Sequence, residues 1–158
     1  MQYFDNSLQD QSFATTGTSL VRAVSAAEPK LRALGDTEAG VARAPGKWSR
    51  KEILGHLIDS AANNHQRFVR AQAAAELRLP GYEQEHWVTS QQYRARPWPD
   101  LVDLWCAYNK HLAHVIANIP EPLHGMRCVV GDNEPVTLRY LAIDYTGHLE
   151  YHLRQIFE

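Results

Sequence analysis

Ser49-Arg50-Lys51-Glu52-Ile53-Leu54-Gly55-His56-Leu57-Ile58-Asp59 is the stretch on which the fold turns. Ser49 and Glu52 stand three apart, the spacing at which a hydroxyl and a carboxylate each satisfy an orphan amide of a helix's first turn. That spacing predicts a helix from residue 50 to about residue 77. Ile53, Leu57, Ala61 and Phe68 form its apolar stripe, and the Ala-rich stretch 71–75 has high helix propensity. Pro80-Gly81 closes the segment.

Downstream, residues 81–98 carry Tyr82, Trp87, Tyr93 and Trp98 among polar neighbours, the composition of an ordered crossing loop. Pro99-Asp100 resembles a second helix start. Leu101, Leu104, Trp105, Tyr108, Leu112, Val115 and Ile119 then recur at steps of three and four, until Pro120 and Pro122 stop the helix. Residues 127–136 read either as a small β-hairpin around Gly131-Asp132-Asn133 or as a loop. Thr137 can cap a last helix whose inward positions are Leu138, Leu141, Tyr145, His148, Leu149, His152 and Ile156. Upstream, residues 8–27 form a periodic segment with Phe13, Leu20, Val21 and Val24 on one side. Pro29 is expected to kink or restart it, and residues 35–48 read as a loop.

Four helical segments with one apolar face each must bury those faces against one another. The expectation is an all-α, four-helix bundle with long crossover loops and a small β-hairpin before the last helix, one domain over residues 1–158. The chain has 158 residues and a formal net charge of −2, so it lacks the electrostatic footprint of a nucleic-acid binder. No apolar run approaches the roughly 20 residues that cross a bilayer. The first residues show no secretory pattern, and Cys106 and Cys128 form no disulfide framework, which leaves the cytoplasm as the expected compartment. There is no phosphate-binding glycine loop, zincin motif or nucleophile elbow. The four tryptophans read as core or loop anchors.

Eight histidines remain to be explained. His148 and His152 are four apart, one above the other on a helix, and they interrupt an inward apolar stripe. Buried imidazoles need partners. These two either share a metal or hydrogen-bond to core tyrosines or carboxylates. A catalytic metal usually takes three protein ligands and keeps one position open. His56, one turn past Ile53, is the best third candidate. Asp59 and Asn63 lie one and two turns beyond it on nearly the same face. Asp59 could orient an imidazole, add a fourth ligand, act as a base, or be an ordinary charge at the bundle end. His65, His86, His111, His114 and His124 read as surface or satisfied histidines.

Gly46-Lys47-Trp48-Ser49 through Glu52-Ile53-Leu54-Gly55-His56-Leu57-Ile58-Asp59 resembles the second-helix signature of the DinB-like superfamily. Asp144-Tyr145 through His148-Leu149 and His152-Leu153 to Gln155-Ile156 resembles its closing helix. Tyr82-Glu83-Gln84-Glu85-His86-Trp87-Val88 is similar to its loop between helices two and three. The resemblance covers residues 40–158, and residues 1–39 carry no matching motif. It implies a divalent transition metal, zinc or nickel, held by His56, His148 and His152; Asp59 and Asn63, placed near them by the helix face alone, are the catalytic candidates that could orient the incoming group. It further implies a homodimer, a small-molecule substrate, and a thiol-dependent transferase or a hydrolase in which the metal activates a low-molecular-weight thiol or a water. A metal-binding or stress-response module without turnover is the alternative.

Overall fold

Ser49 and Glu52 cap the helix α3 (Arg50–Ala71) as their spacing predicts. The Ser49 amide donates to Glu52 Oε2 (2.7 Å), and the Glu52 amide donates to Ser49 Oγ (3.3 Å). The computed structural model describes residues 3–158. Along the chain come α1 (Phe13–Ala33), α2 (Asp36–Gly40), α3, β1 (Leu77–Leu79), α4 (Gln84–Ser90), α5 (Trp98–Ala117), β2 (Arg127–Val130), β3 (Val136–Thr137) and α6 (Leu138–Phe157). The long helices α1, α3, α5 and α6 form the expected bundle. They close over Phe13, Leu20, Leu54, Phe68, Trp105, Leu112 and Leu149, none more than 1% exposed.

The differences from the sequence expectation have identifiable causes. Pro29 does not interrupt α1, which runs on to Ala33. Pro29 and Ser25 are both exposed, so the Ser25 carbonyl deprived of its helical partner can face water. Residues 35–48 are not all loop, because Asp36 anchors α2. Its carboxylate accepts from the backbone amide of Trp98 (2.7 Å) and pairs with the nearly buried Lys51 (2.8 Å). The Trp98 indole donates in turn to the Leu31 carbonyl (2.7 Å).

Helix α3 stops at Ala71, about six residues early, despite the alanines that follow. Leu77 to Leu79 are recruited instead as a strand, with Leu77 opposite Cys128 and Leu79 opposite Val130 in parallel register. Pairing and burial of Leu77 override local propensity there. The hairpin reading of 127–136 is correct: β2 pairs antiparallel with β3, and Gly131 in the turn has a φ of 59°. The crossing segment 81–98 is ordered, but as α4 and a 3-10 turn over Tyr93–Ala95. Val21 and Leu104, expected inside, are 43% and 45% exposed, because the buried rows run through Leu20 and Val24 and through Leu101 and Trp105.

Thr137 caps α6, its hydroxyl accepting from the Tyr140 amide (3.0 Å). Arg50, the first residue of α3, donates from Nε to the carbonyl of Ile156 near the end of α6 (2.8 Å). The two helices therefore run antiparallel, and the second turn of α3 faces the last two turns of α6. That is the level of His56, His148 and His152.

Candidate metal centre

A helix buries a polar side chain only where something compensates its desolvation. On α3 a polar row runs beside the apolar one: His56, Asp59 and Ser60 are 0%, 2% and 4% exposed. Opposite, on α6, His148 and His152 replace the aliphatic residues that their positions call for. The structure brings the three expected histidines together. His56 Nε2 and His148 Nε2 lie 3.2 Å apart, and one ring nitrogen from each of the three falls within 4.8 Å of the others. Among the described residues this is the one such group of three or more metal-ligating side chains.

The donor chemistry suits a cation. His152 Nδ1 donates to Gln155 Oε1 (2.8 Å), which leaves its Nε2 lone pair free. Two neutral imidazoles with facing Nε2 atoms can share at most one proton between them, whereas a metal ion accepts a lone pair from each. The Nδ1 atoms of His56 and His148 are buried without a hydrogen-bond partner, so ring packing fixes those two imidazoles. Trp48 lies against His56 (5.2 Å between centroids), and Tyr3 meets His148 edge-on (4.9 Å). Burial, reinforced by His152, holds the His56 pKa down to about 4. Burial, then His152, His56 and Arg67, holds that of His148 down to about 3. All three imidazoles are thus neutral near pH 7, the form that binds metal.

Asp59, one turn beyond His56 on α3, makes no salt bridge among the described residues. Its Oδ1 accepts from the Tyr93 hydroxyl and from Gln91 Nε2, each at 2.6 Å, while its buried Oδ2 has no partner among the described residues. Burial raises its pKa above the usual carboxylate value against the opposing pull of those two donors. Gly55 makes the arrangement possible, since a Cβ there would come within 2.1 Å of the Tyr93 ring. Asn63 turns its amide back to the Asp59 carbonyl (2.9 Å).

A cleft of about 870 Å³ reaches His152 and is walled by Arg43, Lys47, Trp48, Ile53 and Gln155. Among the described residues no helix is long and apolar enough to cross a membrane. The remaining histidines keep ordinary roles. His65 lies 3.1 Å from the Tyr108 hydroxyl, His124 bonds the Glu121 carbonyl, and His86 is exposed.

Gln91, Tyr93 and Gly55 escape a reading of the sequence as site residues. The first two sit in a non-periodic crossing segment, and nothing local shows that the fold returns them to α3. The aromatic content of residues 81–98 is the one available hint.

No curated protein matches the sequence. Among solved structures the chain is similar to YfiT from Bacillus subtilis, described as a probable metal-dependent hydrolase with an unusual four-helix bundle topology. The TM-score is 0.80 at 15% identity, over 98% of this chain and 86% of that one. At that identity the likeness speaks for the fold. The model of the DinB superfamily matches residues 19–156, from the middle of α1 to the end of α6, and the chain belongs to that superfamily.

Proposed function

We propose that the protein is a metal-dependent enzyme in which His56, His148 and His152 hold one divalent transition metal, zinc or nickel, and a small substrate reacts with an activated water or low-molecular-weight thiol. The observation that carries this reading is the convergence of three neutral imidazoles, His56 buried and His148 and His152 half-buried, at the edge of a cleft. The description of the structurally similar protein as a metal-dependent hydrolase supports it further. When bound, such a metal supplies Lewis acidity and lowers the pKa of a water or thiol in its open position.

The chain's own residues do the rest. Asp59 accepts the proton released on activation. Its raised pKa brings it closer to the working pH, where a general base is most effective. Tyr93 and Gln91 engage only Oδ1, so the carboxylate is held in place while Oδ2 stays available. Asn63 braces the Asp59 turn of α3 through its backbone carbonyl. Trp48 and Ile53 give the largely polar cleft that reaches His152 its apolar surface.

The test compares zinc- and nickel-loaded protein with chelator-treated protein. One panel holds activated esters and amides, the other low-molecular-weight thiols paired with electrophiles. Metal-dependent turnover in the first panel identifies a hydrolase, and in the second an S-transferase. Metal bound stoichiometrically with no turnover in either panel would favour a binding module.

A further inference from the structure

The polar row of α3 does not end at Asp59. At 100° per residue, His56, Ser60, Asn63 and Arg67 fall within an arc of about 60° on one face of the helix. His56 and Ser60 are buried, and Asn63 and Arg67 are half-buried at the outer end of the row. Arg67 is thus an arginine on the face that carries a site imidazole. Its Nη1 donates to Asn64 Oδ1 (3.2 Å), three residues nearer the histidines, so the side chain leans back toward them. No carboxylate pairs with it: among the described residues Arg67 takes part in no salt bridge, and the other arginines without one, Arg22, Arg70 and Arg154, are exposed whereas Arg67 is half-buried. Its positive charge acts on His148 of the cluster and on Tyr82, which also interacts with Ser60 on the same row.

A half-buried guanidinium without a counter-anion carries a desolvation penalty that its hydrogen bond to Asn64 offsets only in part. Burial accordingly pulls the Arg67 pKa down, against the small opposing effects of Tyr82 and Cys128. An arginine kept in that condition beside a reactive cluster is placed to take its anion from outside. Its planar fork matches a carboxylate with two parallel hydrogen bonds. A single cation balances a carboxylate, while a phosphate dianion would keep one charge uncompensated.

Building on the metal-dependent reading above, we propose that Arg67 selects the substrate: it binds a carboxylate at one end of a small molecule whose other end reaches the three-histidine centre. The Cα atoms of His56 and Arg67 are about 16 Å apart along the axis, and the backward lean of the side chain shortens that gap. The substrate class is therefore a carboxylate joined to its reacting group by a short chain of several bonds. Tyr82, between Ser60 and Arg67, flanks that chain.

Cobalt-loaded protein tests this by binding alone. Thiolate coordination to cobalt is followed by its charge-transfer absorption as mercaptoacetate, 3-mercaptopropionate and 4-mercaptobutyrate are titrated. Each is compared with the alcohol that replaces its carboxylate by a hydroxymethyl group. The expected result is that at least one carboxylate binds about tenfold or more tightly than its alcohol. Arg67→Gln abolishes that preference without changing cobalt affinity, and Arg67→Lys keeps part of it. Equal binding of carboxylates and alcohols, or a preference that survives in Arg67→Gln, overturns the assignment of Arg67 alone. If cobalt binds but no thiol of either kind alters its spectrum, the Arg67 proposal falls while the metal centre stands; if cobalt does not bind, the reading of the metal centre falls and the Arg67 proposal falls with it.

Discussion

Stripped of metal and taken from pH 7.5 to pH 4.5, the protein is expected to lose several kcal/mol of stability. The cause lies in the site itself. His56 and His148 are neutral in the fold down to about pH 4 and 3, whereas an unfolded histidine takes up its proton near 6.5. Between those limits the unfolded chain binds more protons than the native one, so stability falls as pH falls. It is complete above about pH 6.5 and drains away toward pH 4 and below. One histidine displaced from 6.5 to about 4 accounts for roughly 3 kcal/mol. His152 is also lowered, chiefly by burial, and adds with the same sign. Asp59 opposes them, because its raised pKa lets the native state protonate first, but its effect enters at the acid end. Urea midpoints measured in chelator across this range check the expectation. A midpoint that stays flat in the wild type, or falls as steeply in His148→Ala, would show that the imidazoles are not buried as described.

Asp59→Asn is expected to have the largest effect on turnover of any substitution that spares the metal ligands. Asparagine keeps the shape, and its side-chain oxygen can still accept from Tyr93 and Gln91, so the local fold survives. It cannot take up a proton at neutral pH. The rate with whichever substrate the panels identify should drop by roughly 10²- to 10⁴-fold. Metal content should stay at the wild-type level, since Asp59 is not among the three grouped ligands. Asn63→Ala, which removes a brace outside the proton path, should cost far less. A rate in Asp59→Asn within a few-fold of the wild type would mean that another group moves the proton.

What the sequence made legible follows from how local each signal is. The α3 cap, the α6 cap, the inward histidine pair and the third histidine of the group all lie on periodic helices. There a residue's number fixes its face. The strand Leu77–Leu79 was not legible, because its partner Cys128–Val130 is some fifty residues away and the alanines before it favour helix. Helix α2 was hidden for a similar reason. Asp36 matters through Lys51 and Trp98, neither of them near it in the chain. At the site, the surroundings of Asp59 depend on Tyr93 reaching α3 over Gly55, a contact that no spacing announces. Arg67 shares the helical phase of His56, but only its partial burial without an acidic partner in the folded protein distinguishes it from a solvated charge.

The three-histidine centre is the claim on which the functional account depends, and a competitive metal titration tests it most directly. Purified wild-type protein, cleared of metal and titrated with zinc against a chromophoric chelator at pH 7.5, should bind one equivalent tightly. His56→Ala, His148→Ala and His152→Ala should each lose that equivalent while keeping the helical circular dichroism of the wild type. A tight equivalent that persists in folded His148→Ala, or none in the wild type, would contradict a metal centre at these residues.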